Sequence, residues 1–144
     1  MARLTINEAA GSAYTDEIIL SPNDVSDTSG TSKVINFGIK KGDVVYGAAI
    51  ETVTAFAGTG TTNVRVGTDS DVAPDDDTSI MENVVVSAAN TAANTGDNLD
   101  GTTADFIAAA ADGNLEITIA GASALNAATA GKVRVLLGIR RINA

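Results

Sequence analysis

A chain of 144 residues with no Cys, His or Trp is long enough to bury roughly 68–70% of its unfolded surface in one domain without disulfides. Its formal net charge of −9 argues against a nucleic-acid binder, which needs clustered Lys and Arg to neutralise phosphate. Lacking imidazole and thiol, it has no side chain that titrates near neutrality unperturbed, no thiolate nucleophile and no soft metal ligand, so composition points to a structural or binding module, not an enzyme, with no cofactor.

The apolar content of 44% is rich in Ala, and aromatics are confined to three Phe and two Tyr. A core of Val, Ile, Leu and Ala favours thin, closely packed layers. The opening MARLTINEAAGSAYTDE has one Arg and no continuous apolar run, so neither a secretory signal nor a membrane span is expected, and synthesis is expected in the cytoplasm.

Residues 3–8 alternate Leu4 and Ile6 against Arg3, Thr5 and Asn7, as a short strand or extended arm. From 11 to 31 the chain is mostly Ser, Thr, Asp, Asn and Gly around one apolar patch, Ile18, Ile19 and Leu20. Residues 1–31 are therefore expected to form an extended polar arm that gains its order from a neighbour. Strand patterns follow at 33–39, 44–56, 61–67, 79–87, 103–109, 114–120 and 132–142. Seven or eight short strands with frequent turns predict an all-β domain over 32–144, a single β-sandwich of jelly-roll type.

Two hairpins are expected. The first turns through residues 57–61, where Gly58 and Gly60 break the strand pattern. The second turns at Asp112-Gly113, with Gly113 supplying a positive φ before a strand whose inward set is Leu115, Ile117 and Ile119. The Ala-rich stretches 87–93 and 108–111 are interrupted by Asn, Thr and Gly or are too short, and neither is expected to be helical. In the last strand Val133, Val135, Leu137 and Ile139 share one face while Leu136 and Ile142 lie on the other. Such a strand is either central in a sandwich or covered by another subunit, and a homotrimer is the expected assembly.

Three groups of residues are candidates for chemistry. Asp69, Asp71, Asp75, Asp76 and Asp77 gather five carboxylates that a Ca²⁺ ion could use, but Pro74 stands where an EF-hand needs Gly, and solvated turns with Asp side chains capping backbone amides are the simpler expectation. Glycoside hydrolysis would need paired carboxylates beside an aromatic platform, which so few aromatics scarcely provide. Lys132, Arg134, Arg140 and Arg141 make a basic terminus on an acidic chain. Together with Arg3, Leu4, Ile6 and Ile18 to Leu20, they are the candidate interface, a seam for an acidic surface.

From Asn63-Val-Arg-Val-Gly-Thr, through the Asp69–Asp77 loop and Asp112-Gly-Asn-Leu-Glu-Ile-Thr-Ile, to AATAGKVRVLLGIRRI, the chain resembles a group of small tailed-phage virion proteins. The resemblance implies a capsid decoration, or cement, protein: a β-sandwich on the outside of the phage head, usually a trimer, clamping neighbouring major capsid subunits. Such a protein needs only many weak contacts multiplied by valency. A fibre or tail component and a soluble carbohydrate-binding β-sandwich are the alternative expectations.

Overall fold

The computed structural model describes residues 2–5, by backbone alone, together with 14–88 and 107–142. The chain forms β1 (Ala2–Thr5), β2 (Asp16–Leu20), a short helix α1 (Pro22–Val25), β3 (Ser32–Ile39), β4 (Val44–Ala57), β5 (Thr62–Thr68), β6 (Asp76–Val85), β7 (Ile107–Ala108), β8 (Gly113–Gly121), a 3₁₀ turn (Leu125–Ala127) and β9 (Ala130–Arg140). Two antiparallel sheets pack against each other, one ordered β1-β2-β9-β4-β7 and the other β3-β8-β5-β6.

This order is that of a jelly roll. Four pairs are nested one inside the next, β2 with β9, β3 with β8, β4 with β7 and β5 with β6, as if one long hairpin had been rolled up. Rolling it sets β9 beside β4 and β8 beside β5, which assigns alternate pairs to the two sheets. β1 adds a further strand on the outside of β2.

The core lies between the sheets and is built as the period-2 pattern predicts. Val64 and Val66 of β5, Leu115, Ile117 and Ile119 of β8, and Val133, Val135 and Leu137 of β9 have no exposed surface. Ile18 and Leu20 of β2, Ile50 and Phe56 of β4, and Ile80 and Met81 of β6 join the same cluster. β4 stays paired with β9 to its last residue, Ala57 opposite Ala130. Three register irregularities against β9 bend it, and its Phe56 amide donates to the Val86 carbonyl at 2.9 Å, so β4 and the end of β6 close one corner of the sandwich.

Several expectations are corrected. From residue 14 onward, the 1–31 segment is not an arm ordered by a neighbour. Ile18 and Leu20 are 0% and 1% exposed, and Asp16–Leu20 pairs with β9 of the same chain in a register running from Asp16 with Leu137 to Leu20 with Val133. α1 follows at once, with Pro22 at its first turn, the Asp24 carboxylate accepting the Ser21 amide at 2.8 Å and Val25 buried. Ile6 lies outside the described residues, as do 89–106, which include part of the Ala-rich stretch and most of the strand expected at 103–109.

Neither expected hairpin pairs its own strands, because both turns carry the chain from one sheet to the other. Gly58 does take a positive φ, 92°, but a Cβ there would sit 2.3 Å from the Ala127 carbonyl oxygen. The loop is therefore folded onto the 3₁₀ turn instead of joining paired strands. Gly113 is not among the glycines with positive φ. Its lack of a side chain is needed for close approach: a Cβ would come within 2.8 Å of Asp69 Oδ1 and of Val72 Cγ2.

Candidate interaction surface

The strand register decides what each charged residue can do. On the solvent side of the larger sheet, Arg134 of β9 stands between Glu17 of β2 and Glu51 of β4, directly opposite the latter. Its Nε donates to Glu17 Oε1 at 3.0 Å and its Nη1 to Glu51 Oε2 at 2.6 Å. The bond it donates to Glu17, with both negative charges beside it, drives the guanidinium still further above its ordinary range against the opposing effect of burial. Arg141 forms an ion pair with Asp16, whose side chain is 3% exposed. Nearby Asp43 receives the amides of Lys40 at 3.0 Å and Ile142 at 3.4 Å, tying the end of β9 to the β3–β4 turn.

Arg134 and Arg141 are therefore braced within the fold. Lys132 and Arg140, by contrast, are exposed and form no ion pair among the described residues. Ile18 and Leu20 are core residues, while the half-buried Ile19 lies across from Arg134. Arg3 and Leu4 fall in β1, opposite Ile18 and Glu17. The partners Asp16, Glu17 and Glu51 were missed by sequence reasoning, since only the pairing of distant strands brings them to the arginines.

The five aspartates are engaged separately. Asp69 accepts the Asn114 amide at 2.8 Å and those of Asp71 and Val72 at 3.1 Å. Burial resists its ionisation, but the amides outweigh burial and hold its carboxyl below the usual carboxylate range. Asp76 caps Thr78, accepting its amide and hydroxyl at 2.9 Å. Asp77 receives Arg65 Nε at 2.7 Å. Asp71 and Asp75 are exposed. Among the described residues no group of three or more His, Cys, Asp or Glu side chains is placed to hold a metal ion, so the loop acts as a capped turn. On the neighbouring β8, burial and then the charges of Asp75, Asp69 and Asp77 push the Glu116 carboxyl above its ordinary range.

Of the two apolar residues that suggested a covering subunit, Leu136 is accounted for within one chain, whereas Ile142 is 62% exposed. β9 is interior to its sheet, between β2 and β4, and even Leu136 on its solvent side is only 9% exposed. Among the described residues the large apolar side chains left open are Val34, Tyr46, Val53, Val85 and Ile142, spread over both sheets. No described helix is long and apolar enough to cross a membrane.

Together these features define an eight-stranded jelly roll with one added strand and a surface whose charges mostly brace its own loops and strands. Neither protein-family models, nor curated proteins, nor solved structures yield a match to the chain.

Proposed function

We propose that the chain is a non-catalytic structural protein of a tailed-phage virion, binding the outer surface of the head and bridging major capsid subunits. The observation that carries this reading is the division of labour on β9, the strand bearing the AATAGKVRVLLGIRRI motif. Its Arg134 is fixed internally, whereas Lys132 and Arg140 project from opposite ends of the same strand as exposed cations on a chain of net charge −9. The jelly roll, an architecture recurrent among viral shell domains, supports the same reading. A rigid sandwich with two separated cations suits many weak, salt-sensitive contacts repeated over a lattice.

The test is a titration of the protein onto phage heads stripped of their decoration, followed by sedimentation. Saturable binding is expected, weakened by salt and by the double variant Lys132→Ser, Arg140→Ser, whose melting temperature stays at that of the parent. Absence from heads at saturating protein overturns the proposal, as does recovery only with tails or fibres.

A further inference from the structure

The backbone hydrogen bonds of the smaller sheet identify which groups of its edge strand β3 lack partners. β3 pairs with β8 without any register shift, Ser32 opposite Ala120 through Ile39 opposite Gly113. The Gly121 amide donates to the Thr31 carbonyl at 2.7 Å, which makes that pair, and every second pair after it, the hydrogen-bonded kind. On the other side of β8, the Ala122 amide donates to the Thr61 carbonyl at 2.9 Å. In the register with β5, this makes the even-numbered residues of β8 bond to β5, leaving the odd ones for β3. Both observations agree that Lys33, Ile35, Phe37 and Ile39 bond inward to β8. The amides and carbonyls of Ser32, Val34, Asn36 and Gly38 point away from the sheet.

Those four residues are exposed, Val34 by 47%, and none makes a further hydrogen bond among the described residues. The opposite edge, β6, is a poorer template, because two register irregularities distort it against β5. Regular, unpaired edges of this length invite another strand.

We infer that β3 is a self-association edge: a second copy of this chain adds its own β3 antiparallel to the first across a two-fold axis at Ile35. The symmetry selects this register, because it sets Ser32 opposite Gly38 of the other copy and Val34 opposite Asn36. All outward groups are thereby satisfied through four hydrogen-bonded pairs, about eight bonds. Ile35, half-buried and packed against the core, meets its own copy at the axis and closes the apolar margin of both sandwiches. Charge favours the same arrangement. Asp27, 74% exposed, lies in the turn before β3 and is held by Lys33 at its start. Lys40, 69% exposed and 3.6 Å from the exposed Asp112, and the exposed Lys41 follow its end. Antiparallel pairing brings the exposed Asp27 of each copy toward Lys40 and Lys41 of the other, on a chain whose net charge would otherwise oppose association.

Sedimentation of the full chain from ~1 to ~500 µM tests the inference. The expected species has twice the 14.4 kDa mass of one chain and dissociates more readily as salt rises. Val34→Pro and Asn36→Pro each delete an amide that faces away from β8, so they should shift the mass to one chain, or weaken association at least ~10-fold, with the circular dichroism of the fold retained. Val34→Lys, which preserves every amide, supplies a second route to the same weakening if a proline variant does not fold. Hydrogen exchange in the parent should slow at Ser32, Val34, Asn36 and Gly38 as concentration rises. A parent that stays monomeric throughout, a mass of three chains, or a dimer unaffected by Val34→Pro and Val34→Lys overturns the inference. Because no phage head enters these measurements, their outcome is separate from that of the head-binding test.

Discussion

Replacing Arg134 by Met separates a fold-bracing cation from a docking one. The substitution keeps most of the apolar stem and removes the charge. It leaves Glu17, with its side chain 12% exposed, and Glu51, at 33%, as two carboxylates flanking β9 with nothing between them. Breaking a fully buried pair by removing one partner costs about 3–5 kcal/mol, whereas an exposed pair contributes about 0–1 kcal/mol. With one carboxylate nearly buried and the other groups about a third exposed, the cost should fall between these, near ~2 kcal/mol. For a domain of this size that corresponds to a fall in melting temperature of about 6–8 °C. The assay is thermal and urea unfolding of the parent, Arg134→Met, and Arg134→Met combined with Glu17→Gln. The double variant should regain a substantial part of the loss, since it no longer strands the more buried carboxylate. Arg140→Ser, at an exposed position, should stay within about 0.5 kcal/mol of the parent. A fall below about 2 °C for Arg134→Met, or an equal fall for Arg140→Ser, refutes the assignment.

Asp69→Ala should cost about 1–2 kcal/mol at neutral pH, because three backbone amides lose a charged acceptor. The carboxyl is held low in the folded chain, so the deficit relative to the parent is full above the unfolded carboxylate range and shrinks as pH falls through the folded value; a deficit constant in urea melts down to strong acid would contradict this. Glu116 has the opposite sign. Its raised carboxyl gives stability that is fully present in acid and is lost as pH rises, so Glu116→Gln should melt higher than the parent at neutral pH and no higher in acid. Thr52 Oγ1 is buried without a hydrogen-bond partner among the described residues; Thr52→Val should stabilise by about 1 kcal/mol in chemical denaturation, and a loss of stability would show that the hydroxyl is satisfied. Amide exchange within Asp16–Leu20 should be slow in the isolated chain, approaching the rate of β8, whereas an arm ordered only by a partner would exchange freely.

The sandwich and most inward-facing side chains were legible because period-2 alternation is a local signal. Leu115, Ile117 and Ile119 announce their face regardless of the rest of the chain. Ile18 and Leu20 do not, because two core positions amid polar residues become a strand only when Val133 to Leu137 arrive beside them. The crossovers at Gly58 and Gly113 were hidden for a related reason. A glycine needed for a turn and one needed for close approach look alike in sequence, and only Ala127 or Val72 distinguishes them. The basic terminus was visible as composition, but its division into braced Arg134 and Arg141 and exposed Lys132 and Arg140 depends on Asp16, Glu17 and Glu51, contributed by strands far away in the chain.

The nesting of β2 against β9 also has a consequence for the order of events during synthesis. Asp16 waits for Leu137, and β3 waits for β8, so the innermost pair, β5 with β6, is the only one of the four available early. On a ribosome the first sheet must remain incomplete until its central strand has left the exit tunnel, and β4 stands without its main neighbour for the same interval. Folding should therefore be slow, with β5–β6 as the earliest stable contact. A chain cut before β9 would be an aggregation-prone intermediate instead of a smaller folded protein.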